Sequence, residues 1–557
     1  MSYSVALVTC YYEIYEQPDK SFETRLDEFI KLAETGLPIY LFCDSSSAII
    51  FERELQIYPH VLCISSIALH DLYAFQVRNT IDINEVTMPR DRNMNKDSMN
   101  YLLLMNSKTE FIQKAIQIDK WKTEHFAWID YSLFYIVKNQ SSVSRYMKQW
   151  TNMYFLEKSY LMMPGCWTQK PDWDMDRILN YPCWRFCGGF FIGSKDRLLD
   201  FHESAQSHFY DFVKENKALT WEVNYWSWLE QTNKINPTVY FADHDDSILR
   251  IPMQSYVIPL AAVYETTTYE YPIVRSYEPG SASMVKFKGS MYVNTRFVNY
   301  WYTNEGKFGI NDVIGNIKTK NIMSELNDKL IPINYHEMDE KTIGFESKWS
   351  RCYGLEDIRL FTYDNKMYYL ATNINYTHDS VNSMMMGEYD LPTMTYKNSH
   401  FLHSPYKRCM QKNWIPLVWK EDLWFIYRWF PLEIGKLDDK HTLVIHKNYV
   451  LKEDWFRDIR GSSNFVEYKE YLVGIVHFSI DGCPRKYFHR FVALNKETLE
   501  PVSYTDNFFF RRIGIEFCLG LEMVNNDYAC WISRMDRDPL MLKLDMEKVI
   551  FTHRFQS

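Results

Sequence analysis

The chain opens on a short, nearly continuous apolar run, Val5-Ala6-Leu7-Val8-Thr9, the pattern of a strand buried on both faces. Residues 22–35 follow with helical spacing of Leu26, Phe29, Ile30 and Leu32, and the pattern stops at Gly36. Pro38 then leads into a second apolar run, Ile39–Cys43, which ends at Asp44. Strand, helix, strand in this order predicts parallel pairing with helical crossovers. Ligands of such sheets bind beyond the carboxyl ends of the strands, which is where Thr9, Cys43 and Asp44 are expected. A long helical pattern over residues 97–118 comes next, and His125–Ile129 then reads as a strand that delivers Asp130 at its exit.

From about residue 262 the helical spacing ends. An apolar strand, a tight polar turn and a returning strand now recur five times, at 284–293, 359–370, 417–426, 465–474 and 521–531. Recurrence at roughly fifty to seventy residues is the signature of propeller blades. The expected fold is α/β plus all-β: a Rossmann-type domain over residues 1–262, then a five-bladed β-propeller over residues 263–557.

Composition narrows the function classes. A net charge of −9 without a basic block argues against a sequence-independent nucleic-acid binder. Eleven cysteines without a CxxC pair fit reduced thiols in a cytoplasmic setting. The N-terminus alternates like a strand and has no basic n-region, so it is not expected to be a signal peptide, and no apolar run is long enough to span a membrane. Aromatic residues make up 17% of the chain, a share that suits both packed β-structure and sugar-binding faces.

Several positions carry candidate chemistry. A carboxylate at a strand exit, Asp130, suits a divalent cation (Mn²⁺ or Mg²⁺) that would neutralise a diphosphate leaving group, although Trp128 and Ser132 leave no Asp-x-Asp. Gly188 and Gly189 precede an apolar strand and permit close backbone approach to a ligand. Glu222 lies between Trp221 and Trp226 and could serve as a base for an acceptor sugar. Asp243-His244-Asp245 follows a strand and offers further cation ligands.

In this order, with Asp44, Lys96 and Asn100 ahead of them, these features resemble the HtrL/YibB-type proteins, a GT-A-like family, over about residues 3–250. The resemblance implies nucleotide-sugar binding (UDP- or GDP-linked), Lys96 near the nucleotide, Asp130 at the metal position with His244 or Asp245 as a second ligand, and Glu222 as the acceptor-activating carboxylate.

In the second half, polar residues sit beside the repeated hairpins: Asn294-Thr295-Arg296, Gly354 to Arg359, Lys412-Asn413-Trp414, Arg460 to Asn464 and Gly514-Ile515-Glu516. In a propeller such positions converge on a central cavity, where buried charges must be paired or functional. Gly354-Leu355-Glu356-Asp357-Ile358-Arg359, Lys412-Asn413-Trp414-Ile415-Pro416 and Arg460-Gly461-Ser462-Ser463 resemble the five-bladed β-mannoside phosphorylase and mannosyltransferase families. That likeness implies Asp357 as acid/base, no cofactor, and Arg296, Arg359, Lys412 and His477 as ligands of phosphate or a sugar phosphate. Glu356 adjoins Asp357, and strand neighbours are expected to face opposite ways, which disfavours a two-carboxylate hydrolase. The function expected is a bifunctional glycan-synthesising enzyme acting on a glycan acceptor. The alternative is a single glycosyltransferase whose propeller only binds glycan.

Overall fold

A computed structural model describes residues 3–14, 21–303, 305–348, 351–378, 381–406, 410–524 and 527–556. The chain divides into two compact units, Met1–Ile258 and Pro259–Ser557.

The first unit is a mixed α/β structure. Its early elements are strand β1 (Val5–Tyr11), helix α1 (Phe22–Ala33), β2 (Ile39–Cys43), α2 (Ser45–Glu54) and β3 (Val61–Ile64). Then come α3 (Met99–Asn106), α4 (Lys108–Ile118), β4 (His125–Ile129), β5 (Leu161–Gly165) and β6 (Phe190–Ser194). Helices α5 (Lys195–Asn216) and α6 (Glu222–Gln231) and strand β7 (Thr238–Phe241) follow. The sheet order is β3-β2-β1-β4-β6-β5-β7. The first four strands are parallel, as the alternation predicts, whereas β6 runs antiparallel to both β4 and β5.

Strand pleating assigns alternate residues to two cores. Val5 and Leu7 join Phe29, Phe51 and Trp150, while Ala6 and Val8 join Phe111, Trp128 and Trp226. Burial on both faces is why β1 reads as an unbroken apolar run. The expected long helix over 97–118 is two helices meeting at Ser107, whose φ of −90° and ψ of 0° leave the helical region. Asp97 is not part of either: it accepts from the Asn93 backbone and from Trp221 Nε1, and Ser98 caps α3 instead. Among the described residues no helix is long and apolar enough to cross a membrane.

The second unit is built from antiparallel sheets in a propeller-like arrangement with four blades. One joins Glu278–Phe287, Ser290–Val298, Ile317–Leu326 and His336–Glu337; the next holds four strands between 356 and 402, and a third four between 415 and 449. In the last, Glu516–Val524, Asp527–Arg534 and Arg537–Leu544 are completed by Val263–Thr268, so strands from both ends of the unit close one sheet. Further antiparallel strands, Val466–Tyr468, Tyr471–Ile480, Lys486–Asn495 and Pro501–Tyr504, lie between the third and the last. The hairpin turns have the backbone that the polar pairs suggest: Lys288-Gly289, Asp364-Asn365 and Lys420-Glu421 all have positive φ, the twist-matching geometry of two-residue hairpins. The fifth expected turn, at residues 525–526, lies outside the described residues.

Candidate functional site

The Ser107 break brings a polar run into the interior. Asn106, Ser107, Lys108, Thr109 and Glu110 are all buried. Asn106 Nδ2 donates to the carbonyl of Thr220, tying the break to the segment that starts α6. Lys108, at the first position of α4, then points at the exit of β4. Its Nζ lies 2.9 Å from Asp130 Oδ1, 2.8 Å from Glu222 Oε1 and 2.9 Å from the carbonyl of Gly188. The Lys108 side chain is 1% exposed, that of Glu222 8%, and that of Asp130 38%. Burial works against the ammonium charge, but Asp130 and Glu222 outweigh it and hold the lysine above its ordinary range.

Trp128 Nε1 also donates to Asp130 Oδ1 at 2.7 Å, and the Asp130 backbone N–H donates to the Gly189 carbonyl. The paired glycines make room for this cluster. A Cβ on Gly188 would lie 2.4 Å from Glu222 Oε1, and one on Gly189 would lie 2.8 Å from Leu133 Cδ1.

Trp128, Asp130, Gly188, Gly189 and Glu222, with Lys108 buried behind them, line a cleft of about 1050 Å³ in the first unit, shared with Lys96, His244 and the aromatic residues Tyr11, Tyr12, Tyr131, Trp184 and Trp221. Lys96 Nζ sits over the Tyr101 ring at 5.1 Å, and His244 meets the hydroxyl of Tyr135 at 3.4 Å. Four expected residues are absent from the cleft wall, among them Cys43, which is fully buried at the end of β2. Thr9 is fully buried inside the sheet, because β1 continues to Tyr11 and so presents Cys10, Tyr11, Tyr12 and Glu13 at its end instead. Asp44 caps α2 through the Ser47 backbone and also accepts from the Glu13 N–H. Asp245 caps the short helix at Asp246–Leu249 through Ser247. Of the expected cation ligands, Asp130 and His244 line the same cleft and Asp245 does not. Among the described residues no group of three or more His, Cys, Asp or Glu side chains converges as a metal cage would.

In the second unit the charged residues gather on Arg296, buried on Ser290–Val298. Its NH1 lies 3.0 Å from Asp357 Oδ1 and its NH2 4.0 Å from Glu356 Oε2. The strand alternation that would separate these carboxylates fails, because the register slips between Glu356 and Arg359 and Asp357 takes a φ of +52°. Glu356 and Asp357 thus both face one guanidinium, contrary to the sequence expectation. Lys412 Nζ stands 3.7 Å from Glu356 Oε2. Asp536, which the sequence did not single out, completes the cluster from the turn after Asp527–Arg534 and accepts from the Tyr300 hydroxyl at 3.4 Å. Burial, and then the charges of Asp357 and Glu356, push the Asp536 carboxyl up to about 6 against the pull of Arg296.

Other expected ligands have structural partners. Arg359 is fully buried and donates to the carbonyls of Ser462 and Gly461 and to Asn413 Oδ1, so it braces three segments. His477 is buried against Ser462 Oγ at 2.7 Å, and burial, His489, Arg460 and Arg359 together keep it neutral. Arg460 is exposed and pairs in register with His477. Glu516 accepts backbone N–H bonds from Phe510, Arg511 and Arg512, so it organises its own loop rather than a ligand.

Residues 62–219 match the family described as HtrL_YibB, a bacterial protein of unknown function. The N-terminal resemblance is thereby shown over the stretch that carries Lys96, Lys108, Asp130, Gly188 and Gly189. The comparison with curated proteins gives no match. Among solved structures, the chain is similar to a β-1,2-mannobiose phosphorylase from Listeria innocua, with 11% identity over 51% of this chain and 98% of that one and a TM-score of 0.36. It is also similar to MPT-1, a GDP-Man-dependent mannosyltransferase from Leishmania mexicana (10% identity, 53% and 96% covered, TM-score 0.36). MPT-4 from the same organism, a mannose phosphorylase in complex with phosphate, gives 14% identity, 53% and 93% coverage and a TM-score of 0.35.

Proposed function

We propose that the protein forms glycosidic bonds, and that its α/β unit is a GT-A-type domain that transfers a sugar from a UDP- or GDP-linked donor to a glycan acceptor. One observation carries this reading: Glu222 and Asp130 are fixed by a single buried lysine on the wall of a large, aromatic-lined cleft. Aromatic faces suit the apolar faces of sugar rings, and a carboxylate held in place beside them suits proton removal from an acceptor hydroxyl. Glu222 would take that proton through the oxygen not bound to Lys108. The acceptor oxygen then bonds to the donor's anomeric carbon as the bond to the diphosphate breaks. A cytoplasmic setting, in which the cysteines remain thiols, belongs to the same reading.

For the second unit we infer five blades, counting the strands at 466–504 as the fourth of them. Action on a mannose-like unit, with Asp357 as acid/base and Lys412 beside it for a phosphate or sugar phosphate, is the reading that keeps the protein bifunctional. A specific observation favours a second reading. Arg359 is spent on two carbonyls and an amide, and Arg296 is held by Asp357, so the centre also suits a module that binds glycan without turnover.

The test of the first reading is release of free nucleotide from a panel of UDP- and GDP-sugars in the presence of oligosaccharide acceptors. Activity lost in Glu222→Gln supports it, and a panel in which no donor is bound or turned over ends it. Mannose 1-phosphate with an acceptor tests the propeller: phosphate release that persists in Asp357→Asn removes Asp357 from that role.

A further inference from the structure

An ammonium group has three protons, and those of Lys108 face Asp130 Oδ1, Glu222 Oε1 and the Gly188 carbonyl, all within 2.9 Å. None remains for a donor phosphate. Two carboxylates closing on one buried point are ordinarily the makings of a divalent-cation site. Here that point holds the lysine. Asp130 Oδ1 receives a second donor from Trp128 Nε1, which leaves that oxygen a poor ligand for a cation. A dication on the other Asp130 oxygen, Oδ2, would stand beside the buried Lys108 ammonium, and like charges so close repel. Of the other expected ligands, Asp245 caps its own helix outside the cleft, and His244 lies 3.4 Å from the Tyr135 hydroxyl.

The geometry points to Lys108 standing in place of a divalent cation, so that sugar transfer in the α/β cleft proceeds with no metal bound at Asp130. The inference rests on the nucleotide-sugar reading of the cleft. Lys108 is a positioning residue: it touches the two carboxylates and holds them in one frame, with the helix break at Ser107 setting its direction. The charge it supplies is fixed before the donor arrives, which is the kind of preorganisation that a bound cation otherwise provides. Lys96 and Arg25, which line the same cleft, are the cations placed to meet the diphosphate.

The test uses the full chain and reads Mn²⁺ binding by electron paramagnetic resonance, with Mn²⁺ alone and with UDP or GDP added. The wild type is expected to take up no Mn²⁺ that Asp130→Asn removes. Mn²⁺ uptake by the wild type that Asp130→Asn abolishes, with or without nucleotide, overturns the inference. Lys108→Met leaves the two carboxylates without their counter-charge and is expected to gain a Mn²⁺ site at least about tenfold tighter than any in the wild type, lost again on adding Asp130→Asn. A Lys108→Met protein that folds and gains no such site also overturns it. Should thermal unfolding show that this variant does not fold, the wild-type and Asp130→Asn titrations decide alone. Nucleotide release in excess chelator is expected to stay within about twofold of the rate with Mn²⁺, whereas a reaction resting on the metal would fall by about a hundredfold or more. If no nucleotide sugar is bound or turned over in either condition, the proposed function fails, and the Mn²⁺ titrations still decide the place of Lys108.

Discussion

Arg296 and Asp357 meet at 3.0 Å across two neighbouring sheets of the second unit, and Asp357 reaches that contact only because its backbone turns to a φ of +52°. Around the same guanidinium stand Glu356 and the half-buried Asp536. One cation thus compensates three carboxyl groups, with Lys412 in support of Glu356. Removing that cation strands charge in the interior. Arg296→Met is expected to destabilise the second unit by about 3–5 kcal/mol, the usual effect of removing one partner of a buried pair. Chemical denaturation of the two proteins side by side checks this, and a loss under about 1 kcal/mol would show that the carboxyls are hydrated or protonated without it.

Asp536 gives the cluster a pH dependence of defined sign. Its folded-state value of about 6 lies above the ordinary 3.8, so between these limits the folded protein holds a proton that the unfolded chain has released. The associated stability is present below about pH 4 and is lost as the pH rises through about 6. A displacement of this size corresponds to about 3 kcal/mol. Asp536→Asn is expected to flatten the fall in unfolding free energy between pH 4 and 7 and to raise stability at pH 7. Glu340 and Glu522, each pushed up to about 7 by burial, add to the same slope and remain in the variant, so part of it should persist. An unchanged slope in Asp536→Asn would remove Asp536 from this account.

Glu516 looked like a ligand because it follows a Gly-Ile pair at the start of a hairpin, yet its carboxylate collects the backbone N–H groups of Phe510, Arg511 and Arg512. Hydrogen bonds to a buried carboxylate are among the stronger ones, and each donor left without a partner carries its own desolvation cost. Glu516→Ala is therefore expected to cost about 2–4 kcal/mol and to open residues 509–514 to proteolysis. Limited proteolysis with mass mapping reads this directly. Cleavage elsewhere, with that loop intact, would count against it.

How much of this was legible in the sequence depends on the range of the interaction. Strand β1, helix α1 and the hairpin turns are local, and their apolar spacing and turn residues predicted them. Thr9 was misplaced because an apolar run does not mark where a strand ends; β1 continues through Cys10 and Tyr11, both of which also suit a strand. Glu356 and Asp357 were assigned to opposite faces by the period of two, which a bulge at Asp357 breaks. Asp536 occupies a hairpin turn, where aspartate is common for local reasons, and only tertiary packing turns it toward Arg296. Lys108 did leave a signal. Five consecutive polar residues, Asn106 to Glu110, interrupt an otherwise apolar helical pattern, and such a run inside a buried helix calls for partners.

The paired glycines offer the sharpest separation of site from scaffold. A methyl group on Gly188 would approach Glu222 Oε1 to 2.4 Å and Val223 Cγ1 to 2.9 Å, so Glu222 must leave its place beside Lys108. A methyl group on Gly189 meets Leu133 Cδ1 at 2.8 Å, the end of a side chain that can rotate away, and clears Asp130 Oδ2 at 3.6 Å. Gly188→Ala is therefore expected to lower donor-dependent nucleotide release by about a hundredfold or more, because a displaced carboxylate is no longer oriented for proton transfer. Gly189→Ala should retain most of that activity and lose about 1–3 kcal/mol of stability to the crowded leucine. Asp245→Ala, which removes a helix cap and a 4.0 Å contact with the exposed Lys138, is expected to cost about 1 kcal/mol and leave turnover unchanged. Measuring nucleotide release and thermal unfolding on the three variants together ranks the positions. Equal activity in Gly188→Ala and Gly189→Ala would detach Glu222 from the chemistry of the cleft.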